Sequence, residues 1–219
     1  MKLKKDLELE NIFKDYQNEY LNKGTSGIVY KISEEECLKL FKYYNECDAK
    51  VLELLKKIKP NNFYEIKELI YNGNNDFIGY TMKYYEDKNL DLLTMPTEYL
   101  LDNLNGICNS INKLTNNNVL VTDLISKNTI LTNNKIIIID VDNFKFNKLY
   151  TSINDLNKHN LSELRSLLID LFIQSKIKYH KGEIIETNKD NIFDIKDNFS
   201  RTYKVLRKYK YPIDYFRKY

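Results

Sequence analysis

Four consecutive isoleucines, Ile136–Ile139, run straight into Asp140 and, one residue on, Asp142. Side chains branched at Cβ are stiff and favour strands. A strand that does not alternate apolar with polar residues must be covered on both faces. The chain must therefore build a dry slot that opens where carboxylates stand. Upstream lies Asn128-Thr-Ile-Leu131, then Thr-Asn-Asn-Lys, in which Asn133 and Asn134 tolerate the left-handed backbone of a tight turn. The spacing predicts a hairpin over residues 128–140, with Asp123 and Asn128 in the loop before its first strand and Asp140 and Asp142 at the end of its second. Carboxylate and amide oxygens are hard donors that suit Mg2+ with phosphate better than zinc. A further carboxylate can accept a hydroxyl proton or orient a nucleophile. The alternative is a polar turn in which the aspartates cap neighbouring N–H groups.

The rest of the chain shows what such a hairpin would belong to. With 219 residues, 42% of them hydrophobic, it can bury a core as one compact unit or two small lobes. The 34 basic and 31 acidic residues leave a net charge of +3, too balanced to demand nucleic acid or an anionic membrane as partner. Cys37, Cys47 and Cys108 form no C-x-x-C and cannot all pair, which points to a reduced, cytoplasmic setting. His159 and His180 lie far from each other and from any cysteine, so zinc has little support. The basic start MKLKKDLELENIF has no apolar signal core, and no stretch approaches the roughly 20 apolar residues of a membrane span.

Residues 1–20 read as helical or loosely attached. GIVYKI (27–32) and ECLKLFK (36–42) read as a strand pair around SEEE. ECDAKVLELLKKI (46–58) has the apolar spacing of an amphipathic helix, ended by Pro60. FYEIKELIYNG and FIGYTMKYY read as two more strands with NGNND between them, and from about residue 90 the character turns helical, as in residues 99–114 and around 161–172. The order predicts an α+β chain: a small sheet-rich lobe, then a helix-rich one.

Three further places could carry chemistry. Gly24 and Gly27 bracket Thr25 and Ser26 directly before a strand, where backbone N–H groups can approach a phosphate. Lys39 shares a strand face with Cys37 and Phe41, so it points either to a wet sheet edge or into a cleft, where it could meet phosphate oxygens. Glu46, Asp48 and Glu53 are the helical acids that could hold it; Asp48, aligned with Leu52 and Leu55, is preferred.

In this order the pieces resemble the protein-kinase-like superfamily. Gly24-Thr-Ser-Gly27-Ile-Val29 is similar to the end of the Gly-rich loop, with Asn22 where a first glycine would stand. Cys37-Leu-Lys39 resembles the A-x-K strand, Asp123-Leu-Ile-Ser-Lys-Asn128 the D-x-x-x-x-N catalytic loop, and Asp140-Val-Asp142 takes the place of D-F-G. Met82-Lys83-Tyr84 resembles the gatekeeper and hinge beside the adenine. The resemblance covers about residues 20–145. It implies an α+β, two-lobed kinase-like fold, with a small antiparallel-sheet N-lobe carrying one helix and a reduced helical C-lobe. As one domain over 1–219, the N-lobe would span about 1–83, the hinge 83–88 and the C-lobe 89–219. It implies ATP and Mg2+ as cofactors. Lys39 would lie on the α- and β-phosphates, paired with Asp48; Gly24, Thr25, Ser26, Gly27 and Val29 would cover the nucleotide; and Met82 and Tyr84 would flank the adenine. Asp123 would orient an acceptor hydroxyl on a protein or a small molecule. Asn128 and Asp140 would hold metal, with Asp142 assisting. Val121-Thr122 replace the usual His-Arg, Ile125 stands where a lysine is usual, and no A-P-E follows, which implies no activation-loop phosphorylation control and a reduced peptide platform.

Two other readings stay open. One is a pseudokinase that works as a nucleotide- or partner-binding module. The other uses the basic, tyrosine-rich tail 201–219 to bind single-stranded nucleic acid, where the plainer expectation is a terminal helix burying Val205, Leu206 and Tyr209.

Overall fold

The computed structural model describes residues 20–23, 26–42, 48–87, 92, 94–132, 134–179, 207–212 and 214. Along the chain come β1 (Tyr20–Lys23), β2 (Gly27–Lys31), β3 (Glu36–Phe41), α1 (Ala49–Ile58), β4 (Ile66–Tyr71), β5 (Phe77–Lys83), α2 (Thr97–Asn116), β6 (Val119–Leu120), a 3-10 turn (Ser126–Asn128), β7 (Thr129–Leu131), β8 (Ile136–Ile138), β9 (Lys145–Phe146) and α3 (Ile153–Tyr179). They divide into two compact units. The first is Met1–Lys59 with Tyr64–Tyr85 and Asp142–Phe146; the second is Pro60–Phe63 with Glu86–Val141 and Asn147–Tyr219. A single cut along the chain does not separate them: residues 60–63 and 142–146 are exchanged.

The first unit is built on a five-stranded antiparallel sheet in the order β1-β2-β3-β5-β4. The expected strands are there, and β1 adds a strand that begins at Tyr20, the last residue of the stretch expected to be helical or loose; residues 1–19 of that stretch lie outside the described residues. Because β3 is central, Cys37 to Phe41 are all buried. Leu38 and Leu40 pack on one face with Tyr30, Ile70 and Ile78, which leaves Cys37, Lys39 and Phe41 on the other. Burial pushes the Cys37 thiol up to about 11, so it stays protonated and inert at neutral pH. Helix α1 begins three residues later than its apolar spacing predicts, because Asp48 caps it by accepting the Lys50 N–H at 3.0 Å. It buries Val51, Leu52 and Leu55 and packs on β4.

In the second unit the isoleucine run is β8, paired with β7 so that Thr129 faces Ile138 and Leu131 faces Ile136. Ile136, Ile137 and Ile138 are 3% exposed or less, the burial on both faces that their pattern demands. The cover on one edge is Phe63, bridged in parallel to Ile138, with the Ile138 N–H donating to the Asn62 carbonyl at 2.7 Å. Asn62, left-handed at φ 65°, donates to the Ile136 carbonyl at 2.9 Å and to the Asn103 side chain of α2. Asn103 in turn accepts from the Ile136 N–H at 2.9 Å and donates to the Asn134 carbonyl at 2.8 Å. These bonds explain why residues 60–63 leave the first unit. Helices α2 and α3 pack together. Of the tail, Val205 and Leu206 lie outside the described residues, and Tyr209 is half-buried. Among the described residues no helix is long and apolar enough to cross a membrane.

Gly79 on β5 faces Leu40, and a Cβ there would run into the Lys39 carbonyl oxygen. Gly79→Ala is expected to destabilise the protein by about 2 kcal/mol, the usual cost of overpacking. A lower urea midpoint with an unchanged denaturant slope would show it; an unchanged midpoint would mean the strands part at no cost.

Candidate functional site

Lys39 is placed by strand register. It pairs with Val29 on β2 and Tyr80 on β5, in the middle of the sheet, and is 5% exposed. Its ammonium forms an ion pair with Oδ2 of Asp142, itself 2% exposed. An ammonium buried this far needs a carboxylate partner to stay charged. The other carboxylate oxygen, Oδ1, accepts from the Tyr80 hydroxyl at 2.8 Å, and the Tyr80 oxygen accepts from the Tyr64 hydroxyl at 2.7 Å. The Tyr64 and Tyr80 rings stack at 5.6 Å, 3° from parallel, and Phe41 meets Tyr80 at 5.9 Å.

The same unit holds the residues expected around a nucleotide. Gly27 is buried opposite Phe41, and Ser26 accepts the Lys42 N–H on its carbonyl at 3.0 Å. Val29 and Met82 are half-buried. Tyr84 donates its N–H to the Glu35 carbonyl at 2.8 Å and lies under the Lys31 ammonium at 4.7 Å. Gly24, Thr25 and Glu46 lie outside the described residues.

Two expectations meet a different arrangement. Asp48 stands at the helix cap, not within the helix, and the carboxylate set on Lys39 is Asp142. Asp142 was expected with Asp140 at the end of the hairpin's second strand. Asp140 is instead left-handed, at φ 61°, which ends the alternation and sends Asp142 into the first unit.

In the second unit the opening of the hairpin gathers Asp123, Asn128 and Asp140. The Asn128 amide donates to the Asp123 carbonyl at 3.1 Å and reaches its carboxylate at 3.5 Å. The Ile139 N–H donates to the Asn128 carbonyl at 2.8 Å, so Asn128 and Asp140 flank the same end of the β7–β8 ladder. Asp123 is exposed and, like Asp140, left-handed, with φ 60°. Aspartate tolerates that conformation better than most residues, but it remains strained, and such strain gathers at functional sites.

Two side chains outside the sequence-derived set hold this loop. Asp170 of α3 accepts the Ser126 N–H at 3.0 Å, which accounts for an acid inside the apolar run LLIDLFI. Asn160, fully buried, accepts the Val121 N–H and donates to the Val119 carbonyl and the Thr115 hydroxyl, each at 2.9 Å. His159 adds a contact to the Val121 carbonyl at 3.1 Å. The acid within an apolar run was a visible signal for Asp170; Asn160 carried none.

No family model matches the sequence, and no curated protein matches it. Among solved structures the chain is similar to the Legionella pneumophila Lpg2603 kinase bound to IP6, at 14% identity over 90% of this chain and 81% of that one, TM-score 0.48. It is also similar to the Cydia pomonella granulovirus kinase PK-1, at 12% identity over 77% of this chain and 74% of that one, TM-score 0.49. The fold is α+β: strands, a helix, strands, then a helix, the hairpin and a further helix, with a small antiparallel sheet in the first unit and helices in the second.

Asn160→Ala leaves two backbone groups, the Val121 N–H and the Val119 carbonyl, without this partner, while the Thr115 hydroxyl keeps its bond to the Ile111 carbonyl. It is expected to cost about 3 kcal/mol, from roughly 1–3 kcal/mol for each buried polar group left unsatisfied. Chemical denaturation measures it; a loss below about 0.5 kcal/mol, the range of ordinary surface changes, would mean water replaces the amide.

Proposed function

We propose that the protein is an ATP- and Mg2+-dependent phosphotransferase that moves the γ-phosphate of ATP to a hydroxyl, in the manner of a protein Ser/Thr kinase or of a small-molecule kinase. The observation that supports this reading most is Lys39: a lysine 5% exposed at the centre of the sheet, held charged by a carboxylate. A lysine kept charged at that cost of desolvation has work to do with anions.

In this reading Lys39 binds the α- and β-phosphates. The backbone of Gly24, Thr25, Ser26 and Gly27 covers the phosphates, while Val29, Met82 and Tyr84 contact the adenine. Asp123 orients the acceptor hydroxyl and takes its proton. The acceptor oxygen forms a bond to the γ-phosphorus as the bond to the ADP oxygen breaks. The donor set around the hairpin fits Mg2+: Asn128 and Asp140 offer one amide and one carboxylate oxygen, and Mg2+ is bound by one or two carboxylates with substrate phosphates and water. Among the described residues no three His, Cys, Asp or Glu side chains cluster to hold a metal by themselves. Bound there, Mg2+ would neutralise charge developing on the phosphates. The role of the protein groups is to position: Asp123 through its strained backbone and its bonds to Asn128, and Asn128 through the Ile139 N–H.

Calorimetric titration with ATP tests the reading. Affinity should strengthen with Mg2+, and Asp140→Ala should lose that dependence. No binding at millimolar ATP would shift the function to a partner-binding pseudokinase. Asp123→Asn should abolish phosphoryl transfer while ATP affinity stays near wild type; equal turnover would remove Asp123 from that role. Lys39→Ala should weaken ATP by about tenfold or more, as expected for losing a charged contact, and leave adenosine unchanged. An equal loss for both ligands would place Lys39 away from the phosphates.

A further inference from the structure

We infer that Asp142, and not an acid of helix α1, is the group that orients Lys39, and that Tyr80 and Tyr64 are positioning residues acting through it. The inference rests on the nucleotide-binding reading of Lys39.

The direction of the hydrogen bonds follows from chemistry. Asp142, ionised against Lys39, can only accept. The Tyr80 hydroxyl must therefore donate to Oδ1, and its own oxygen is left to accept the Tyr64 hydroxyl. Donation runs from Tyr64 to Tyr80 to Asp142, and Lys39 closes on the opposite oxygen. Each member is held by packing. Tyr80 is fully buried and Tyr64 is 4% exposed; their rings stack, and Phe41, edge-on to Phe77 at 5.5 Å, lies against Tyr80. Neither hydroxyl can swing away without moving a ring out of the core. One carboxylate oxygen is thus pinned, and the other is aimed at the ammonium of a long, otherwise pliable side chain.

Stability does not account for such a chain. A buried ion pair with two buried hydroxyls gains little over apolar residues of the same volume, and the surrounding face already carries Phe41 and Phe77. Preorganisation of Lys39 does account for it. The described acids of α1 are otherwise engaged. Asp48 caps its helix through the Lys50 N–H. Glu53 is exposed and faces Tyr71, whose pKa is raised first by burial and then by the charge and hydrogen bond of Glu53.

The test is acylation of the full-length protein with an N-hydroxysuccinimide acetate ester, read lysine by lysine by mass spectrometry, beside the ATP and adenosine affinities. In Tyr80→Phe, labelling of Lys39 should rise about tenfold, the effect of losing one charge-assisted hydrogen bond, while exposed Lys57 stays at its wild-type rate. The preference for ATP over adenosine should fall in step. Tyr64→Phe, which keeps the Tyr80–Asp142 bond, should move both readouts the same way by less, and it carries the comparison if Tyr80→Phe does not fold. Glu53→Gln should leave Lys39 at its wild-type rate; a rise there would assign the lysine to the helix and overturn the inference. Lys39 labelling that does not change in either tyrosine variant would overturn it too, even in a protein that binds ATP. If the labelling pattern holds but the wild type binds no ATP, the orienting chain stands and the nucleotide reading falls.

Discussion

The ion pair between Lys39 and Asp142 joins two stretches more than a hundred residues apart in sequence and sets both in the interior of the first unit. A charged lysine on the central strand of a sheet is tolerable only if a carboxylate reaches it, and a buried carboxylate only if its second oxygen is also bonded. Those two requirements call for Tyr80 on the neighbouring strand and for Tyr64 behind it. They also draw residues 142–146 out of the run of chain that builds the second unit. Residues 60–63 make the opposite exchange for the same kind of reason: a backbone ladder and the Asn62 and Asn103 amides satisfy the edge of β8.

Polar side chains placed far apart along the chain thus do in each unit what apolar packing cannot, which is to select one arrangement. The isoleucines of β8 would be content in any dry slot of the right width. Asn62 and Asn103 choose the slot, because their amides fit only one pairing of donors and acceptors. Around the Asp123–Asn128 segment, Asn160 fixes the chain entering it and Asp170 fixes the 3-10 turn inside it. Asp123 is left exposed at a strained backbone position between these two supports. Rigid and open to solvent, that position meets what the role proposed for Asp123 demands.

The parts of this arrangement that could be read along the chain are those whose cause is local. Branched residues without alternation announce a strand covered twice, and β8 is one. A polar turn between two such runs announces a hairpin, and with it the gathering of Asp123, Asn128 and Asp140 at one end. A lysine in apolar company left open a wet sheet edge or a cleft, and a place between β2 and β5 at 5% exposure excludes the edge. The partner of that lysine was not readable. Helix periodicity pointed to Asp48, because spacing reports which residues share a face but not where a helix starts, and Asp48 is taken by its own cap. The hairpin likewise grouped Asp142 with Asp140 at one end, which holds only while the backbone stays extended; φ is positive at Asp140.

From residue types and spacing alone come the order of strands and helices and the buried hairpin, because propensity, periodicity and turn chemistry act within a few residues. Folding in three dimensions supplied the pairing of Lys39 with Asp142, the tyrosine chain behind it, and the asparagines that seat the hairpin and its loop. Each of these is a contact between groups remote in sequence. Its energy depends on desolvation and on matching donors to acceptors, quantities that exist only once the chain has closed around them.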